Sequence, residues 1–278
     1  MTRTVGLVVP AYRPDVETLS AYVGALAAQI TPAPTVIRIE LDDATDETVA
    51  ALETLSTSTS TSAPVSVTIN AVDDRRGKGA AITAGFEALE TDVRAFADAD
   101  GSTPASSVGD VVEAVLEGRA NLAAGSRRHP AATVESHQSF ARKRLGDVFA
   151  WTASRLLEVS LYDYQCGAKA IDGETWEAVR TQLCEPGFAW DIELVALTHA
   201  LGYRVLEVPV TWEDDPQSTV SPVGTSIELG LSLCRSRHRA KHLRGDRVHT
   251  AIANRRSQPV SLLERFVRDR SPSDTTDE

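Results

Sequence analysis

The sequence of 278 residues is poor in lysine, methionine, cysteine and aromatic side chains, with 4 Lys against 24 Arg, 1 Met, 3 Cys and 5% Phe, Trp and Tyr. Cys166, Cys184 and Cys234 are odd in number and share no CxxC spacing, which argues against a disulfide framework or a cysteine zinc site and fits a reducing cytoplasm. No window approaches the roughly 18 apolar residues of a membrane span. The opening MTRTVGLVVPAY turns into a proline-bounded strand rather than a signal-peptide core, so any membrane contact is expected to be peripheral. Positive charge is also scarce: 28 Lys and Arg against 39 Asp and Glu leave a net charge of −11, which disfavours a partner bound by phosphate neutralisation such as nucleic acid. The preference for Arg over Lys, with heavy use of Asp, Ala, Thr and Val, is the balance of proteins adapted to high salt. Neither a Walker loop nor a full GxGxxG is present, which disfavours an ATPase or a dehydrogenase.

What the chain does have is 42% apolar residues in periodic runs, enough for a full core. Val5 to Val9 reads as a buried strand stopped by Pro10, and Asp15 to Ile30 as a helix carrying Leu19, Tyr22, Val23 and Leu26 at helical spacing. The alternation repeats, with strands at Thr35 to Leu41, Val65 to Asn70 and Val93 to Ala97, and helices at Asp46 to Leu55, Gly79 to Leu89 and Pro104 to Leu116. Strands of about five residues alternating with helices of ten or more predict an α/β fold, a mostly parallel sheet covered on both faces, with functional loops at the carboxyl ends of its strands. The Ser/Thr tract Thr54 to Ala63 reads as a solvated loop. Beyond Gly125 the rhythm changes to a long helix from about Gln138 to Leu157, a strand near Ala168 to Ile171, two helices and a final strand pair from Tyr203 to Trp212. The expected organisation is one domain over 1–225, with a nucleotide-sugar half at 1–118 and an acceptor half at 119–225. A helical, Arg-rich extension follows at 226–278 and ends in a disordered tail.

Several strand ends carry chemistry. Phe96-Ala97-Asp98-Ala99-Asp100 delivers two carboxylates one residue apart, a pattern suited to one hard cation such as Mg²⁺ or Mn²⁺ and, through it, a pyrophosphate; the alternative is a solvated loop or helix cap. Asp42, also at a strand end, suits hydrogen bonds to a ribose or base, while Asp43 or Thr45 suits a helix cap. In Arg75-Arg76-Gly77-Lys78-Gly79 two glycines permit close backbone approach beside three cations, which fits a phosphate-bearing ligand. The segments from Asp163 to Lys169, including Gln165, and from Gly187 to Leu194, including Trp190 and Asp191, set polar groups among aromatic and small residues. Buried carboxylates there need a task or a partner. Asp191 is the expected group nearest the acceptor; Phe188 and Trp190 also fit ordinary core packing, and Cys166 fits packing better than nucleophilic chemistry.

In order along residues 5 to 220, Val8-Val9-Pro10-Ala11-Tyr12, Asp42-Asp43, Arg76-Gly77-Lys78-Gly79, Asp98-Ala99-Asp100, Gly125-Ser126-Arg127, Gln165-Cys166-Gly167, Trp190-Asp191-Ile192-Glu193 and Val208-Pro209-Val210-Thr211-Trp212 resemble family 2 glycosyltransferases. The likeness is strongest to the dolichyl-phosphate glucosyl- and mannosyltransferase group. The resemblance implies a GT-A fold and an inverting transfer of a hexose from a UDP- or GDP-sugar to a dolichyl (polyprenyl) phosphate. It implies that Pro10, Tyr12, Asp15, Asp42 and Lys78 bind the nucleotide sugar, with Asp15 standing where relatives carry Glu, and that Asp98 and Asp100 hold the metal and diphosphate. Arg127, Arg142, Arg144, Gln165, Trp190 and Ser218 would serve the acceptor or its phosphate, and Asp191 would be the catalytic carboxylate beside Asp100. The basic stretches at Phe140 to Leu157 and Arg235 to Arg256 suggest association with a membrane surface, or else a solvated basic face. Alternatives are a transferase of the same fold with a soluble or glycan hydroxyl acceptor, a sugar nucleotidyltransferase, and a non-catalytic nucleotide-sugar binding module.

Overall fold

The computed structural model describes residues 3–29, 35–58, 65–135, 140–213, 222–255 and 259–270. Its first half repeats strand and helix four times: β1 (Val5–Tyr12), α1 (Val16–Gln29), β2 (Thr35–Asp42), α2 (Asp46–Ser58), β3 (Val65–Val72), α3 (Lys78–Glu87), β4 (Val93–Ala97) and α4 (Ala105–Leu116). The second half continues with β5 (Leu122–Ser126), β6 (Thr133–Glu135), α5 (Phe140–Leu157), β7 (Ala168–Asp172), α6 (Gly173–Val179), α7 (Trp190–Ala200), β8 (Val205–Pro209) and β9 (Thr211–Glu213). Three helices follow, α8 (Pro222–Leu243), α9 (Arg247–Ala253) and α10 (Leu262–Arg270).

Seven strands form one sheet in the order β3-β2-β1-β4-β7-β5-β8. All neighbours run parallel except β7, which is antiparallel to both β4 and β5. This strand makes the sheet mixed and joins the two halves. Val5, Leu7, Val9, Ala95 and Ala97 pack on one face against α1 and α4 residues such as Leu19, Val23, Val108 and Val112. Val8, Phe96, Leu122 and Ala124 pack on the other face with Phe86, Trp176, Trp190 and Leu194. Apolar burial on both faces explains the nearly continuous apolar runs of β1 and β4.

Two expectations shift. β1 runs through Pro10 to Tyr12, because its ladder to β4 ends at Val8 and the remainder is paired only to β2, where a residue lacking an N–H is tolerated. The strands between Tyr203 and Trp212 do not pair with each other: β8 lies parallel to β5, and β9 lies parallel to β6 in a separate two-stranded sheet.

The Arg-rich C-terminal part does not present all its cations outward. Arg239 reaches Glu185 at 3.0 Å and Glu193 at 2.9 Å, and Arg237 donates to the Leu156 carbonyl at 2.7 Å. Lys241 and Arg244 both pair with Glu158, each at 2.5 Å. These contacts fasten α8 to α5 and α7. Among the described residues no helix is long and apolar enough to cross a membrane.

Candidate functional site

The parallel strands β1, β2, β3 and β4 end on one edge, and their final residues set the floor of the site. Tyr12 and Asp42 are register partners at the ends of β1 and β2. The Tyr12 ring is exposed and lies under the Arg75 guanidinium, 4.2 Å from its centroid, with Arg13 at 5.4 Å. Arg13 and Asp43 both adopt positive φ and pair with each other at 2.7 Å. Asp42 is buried and accepts from Arg76 Nε at 2.8 Å and from the Gly77 N–H at 3.0 Å. Arg76 also reaches the buried Glu40 at 2.9 Å. Pro10 sits two register steps inward beside Glu40.

The Asp15 carboxylate, by contrast, caps α1 by accepting from the Thr18 N–H at 2.8 Å. That bond holds its pKa below the ordinary carboxylate value. This capping role is one that the resemblance did not indicate.

The turn from Arg76 to Gly79 is pressed against the loop before α7. Gly77, at φ 95°, lies against the Pro186 carbonyl, the Ala80 N–H donates to that carbonyl at 3.0 Å, and a methyl group at Gly79 would overlap Trp190. Only glycine fits both constraints. The contact brings Lys78, the first residue of α3, into reach of α7. Its ammonium lies 2.8 Å from Asp98 Oδ1 and 3.1 Å from Asp191 Oδ2. Lys169, fully buried in β7, meets Asp191 Oδ1 at 2.6 Å and donates to the Cys166 carbonyl at 3.0 Å. Both ammonium groups sit over the Phe96 ring, at 5.0 and 5.6 Å from its centroid. Burial alone disfavours a charged Lys78, but Asp191 and Asp98 outweigh it and hold its pKa above the ordinary lysine value. The chain has four lysines, and two of them converge on one carboxylate.

Asp98 extends the β4 ladder by donating its N–H to the Gly167 carbonyl at 2.8 Å, and Gly167 leaves space that a Cβ would take from the Asp98 carboxylate. Asp100 is held by the Ser102 N–H at 2.9 Å, while partial desolvation and then the charge of Asp98 raise its pKa. The loop is fixed from outside by Tyr22, whose hydroxyl donates to the Thr103 carbonyl at 2.6 Å, and by the Glu213 N–H, which donates to the Ser102 carbonyl at 2.9 Å. Two hard oxygen donors beside a side-chain-free cradle suit Mg²⁺ or Mn²⁺ that completes its shell with phosphate and water. Among the described residues no group of three His, Cys, Asp or Glu is placed to hold a metal without such a partner.

In the second half of the chain, Arg127 forms a two-point pair with the buried Asp163 at 2.7 and 3.1 Å and lies over the Trp212 ring at 5.6 Å. Burial pushes the Asp163 carboxyl up, but Arg127 prevails and holds it below the usual range. Gln165 is half-buried two residues on, its N–H donating to Asp163 at 3.0 Å. Trp190 is a correction. It is 0% exposed, its indole donates to Thr83 at 3.0 Å, and it packs edge-on against Phe86 and Phe96, so it is a core residue without a surface for an acceptor. Arg142 and Arg144 lie in the first turns of α5, and their side chains are outside the described residues, as is Ser218. Arg76, Glu40, Asp163 and Lys169 were not singled out as site residues. Lys169 carried a usable signal, a scarce charged residue between Ala168 and Ala170 in a strand of small side chains.

The mostly parallel seven-stranded sheet with β7 antiparallel inside it, a pair of aspartates just past the end of β4 and a lysine-paired aspartate opposed on α7 belong to a GT-A fold. Residues 7–147, just over half of the chain, match the glycosyl transferase family 2 model, and the chain belongs to that family. Glycosyltransferase AglD of Haloferax volcanii is 32% identical over 166 residues, covering 59% of this chain and 26% of that protein. A dolichyl-phosphate beta-glucosyltransferase of Drosophila melanogaster is 30% identical over 166 residues, covering 58% of this chain and 51% of that protein. The chain thus spans about half or less of the length of these curated relatives. Among solved structures, glucosyl-3-phosphoglycerate synthase from Mycobacterium tuberculosis, in complex with Mn²⁺, UDP and glucosyl-3-phosphoglycerate, superposes with a TM-score of 0.58 at 17% identity, covering 87% of this chain and 80% of that one. Mannosyl-3-phosphoglycerate synthase from Rubrobacter xylanophilus gives 0.59 at 16% identity, covering 88% and 76%. At that identity these structures speak to the fold alone.

Proposed function

We propose that this chain is an inverting, metal-dependent hexosyltransferase that moves a sugar from a UDP- or GDP-sugar to a dolichyl or other polyprenyl phosphate. The observation that carries the reading is the opposition of Asp98 and Asp100, at the end of β4, to Asp191 on α7, with Lys78 bridging the two sides. Tyr12, Asp42 and the Arg76–Gly77 turn form the nucleotide side. A phosphate oxygen of the acceptor attacks the anomeric carbon as the bond to the nucleoside diphosphate breaks, and configuration inverts. Asp98 and Asp100 would hold a divalent cation, which would supply positive charge to the departing diphosphate. A phosphate acceptor with a second pKa near 6 is largely deprotonated at neutral pH, so the reaction needs little base catalysis. That suits Asp191, whose two oxygens are both paired with lysines; it orients the site instead of taking a proton.

The lipid side of this reading gains support from α5. Val148 and Trp151, three residues apart, are 61% and 62% exposed on the face opposite the buried Ala153 and Leu157, and Arg155 lies over the Trp151 ring at 5.6 Å. An exposed Trp flanked by Val and Arg is suited to the polar boundary of a bilayer. Co-sedimentation with anionic liposomes tests it: the wild type is expected to sediment and Trp151→Ala to remain in the supernatant. Equal recovery of both would count against this face.

The deciding experiment presents labelled UDP- and GDP-sugars with dolichyl phosphate and Mg²⁺ or Mn²⁺ at high ionic strength, comparing wild type with Asp100→Ala. The expected result is metal-dependent glycolipid that the variant forms at least about 100-fold more slowly. Donor hydrolysis or binding without glycolipid would move the acceptor to a soluble hydroxyl.

A further inference from the structure

Lys78 contacts two carboxylates with different tasks. Its ammonium lies 2.8 and 3.1 Å from the two oxygens of Asp98 and 3.1 Å from Asp191 Oδ2. Any cation that coordinates Asp98 meets this charge. The backbone beneath Lys78 is fixed by the packing of Gly77 and Gly79 and by the bond from Ala80 to the Pro186 carbonyl. The ammonium at the end of the side chain above it has Asp191 already within hydrogen-bonding distance as a second partner.

We propose that Lys78 is a competitor for the divalent cation at Asp98, so that cation and nucleotide load together rather than singly. When no cation is bound, Lys78 neutralises Asp98. A cation arriving alone must displace an ammonium from its best partner, which opposes binding. A cation arriving with a nucleoside diphosphate brings phosphate oxygens, and Lys78 then exchanges Asp98 for Asp191 and those oxygens. Lys78 is thereby a positioning residue that couples two ligands, each strengthening the other by the same factor. The inference rests on the reading of Asp98 and Asp100 as the cation site but not on which sugar or acceptor is used.

Binding of Mn²⁺ alone to the full chain, followed by loss of the free-ion EPR signal and repeated with UDP and with GDP present, tests it without any turnover. Lys78→Met is expected to bind Mn²⁺ alone up to about fivefold more tightly than wild type, the size of one partly exposed charge pair. The gain in affinity that the nucleotide confers should shrink by the same factor, leaving the part due to phosphate ligation. Lys78→Gln, measured in parallel in case one variant folds poorly, should behave alike, and Lys78→Arg should keep the weak binding of Mn²⁺ alone. Unchanged or weaker Mn²⁺ binding in both neutral variants would overturn the competitor role. Asp98→Asn separates the two readings: if it leaves Mn²⁺ binding untouched, the cation site fails and the competitor with it. If it weakens binding while the Lys78 variants do nothing, only the competitor fails.

Discussion

Asp191 and Glu193 stand two residues apart in the first turn of α7, both buried, and they meet opposite surroundings. Side chains at that spacing point to opposite sides of a helix. Asp191 faces the strand ends and is held by Lys78 and Lys169. Glu193 faces the C-terminal helices, pairs with Arg239 at 2.9 Å, and accepts from the N–H groups of Cys184 and Glu185 at 2.9 and 2.8 Å. Burial alone would favour neither as an active group, since each has a cation and is removed from water. What separates them is position: one lies where the sheet delivers Asp98, the other fastens α8 to the body of the protein.

The largest expected effect tests the first half of that contrast. Asp191→Asn removes the counter-charge of a fully buried lysine and releases Lys78, and through that misplacement kcat for glycolipid formation is expected to fall about 100-fold. Glu193→Gln, which keeps an acceptor for the two N–H groups, is expected to leave kcat within about twofold while lowering the unfolding free energy. A large kcat loss in Glu193→Gln at unchanged stability would erase the distinction.

The second test uses pH. Burial, only partly offset by Arg239 and the two N–H donors, raises the Glu193 pKa from 4.5 to about 7. The unfolded chain ionises this group near 4.5 and the folded protein near 7, so between those values the folded state holds the extra proton. Its contribution to stability is fully present below pH 4.5 and is lost as pH rises through 7. The span corresponds to about 3 kcal/mol at most. Urea unfolding from pH 4.5 to 8 should therefore show wild type losing stability relative to Glu193→Gln as pH rises. Parallel curves would mean that Glu193 is ionised throughout.

The placement of Asp42, Asp98 and Asp100 at strand ends was legible because strand-helix alternation, with short strands bounded by Pro, Asp or Gly, marks those ends, whereas Asp191, in the first turn of α7, was legible only as a carboxylate among aromatic and small residues. The antiparallel insertion of β7 between β4 and β5 was not legible as topology. Five residues from Ala168 read as a strand, but nothing local states which neighbours it takes. The network on Asp191 was hidden for the same reason, since Lys169 reaches it only because β7 lies beside β4. Trp190 was ambiguous in sequence because an aromatic beside a carboxylate serves a core and a ligand site equally well; the glycine at position 79 decides it, since the indole fills the space that glycine leaves. Asp15 is a different case, because a carboxylate at the start of a helix has a local use, here the cap of α1, that resemblance to a nucleotide loop does not reveal.

That carboxylate supplies the smallest and most discriminating test of how far position determines task. If Asp15 acts only as the cap of α1, replacing it with Ser, which caps equally well, preserves both the thermal midpoint and KM for the donor, whereas Ala lowers the midpoint slightly and leaves KM alone. If Asp15 also binds the nucleotide, Ser and Ala raise KM for the donor alike, by several-fold, while only Ala changes the midpoint. The comparison is clean because Ser restores the hydrogen bond to the helix without restoring the charge. A rise in KM with Ser would place Asp15 with Asp191 among the residues that face a ligand, and an unchanged KM would place it with Glu193 among those that hold the fold.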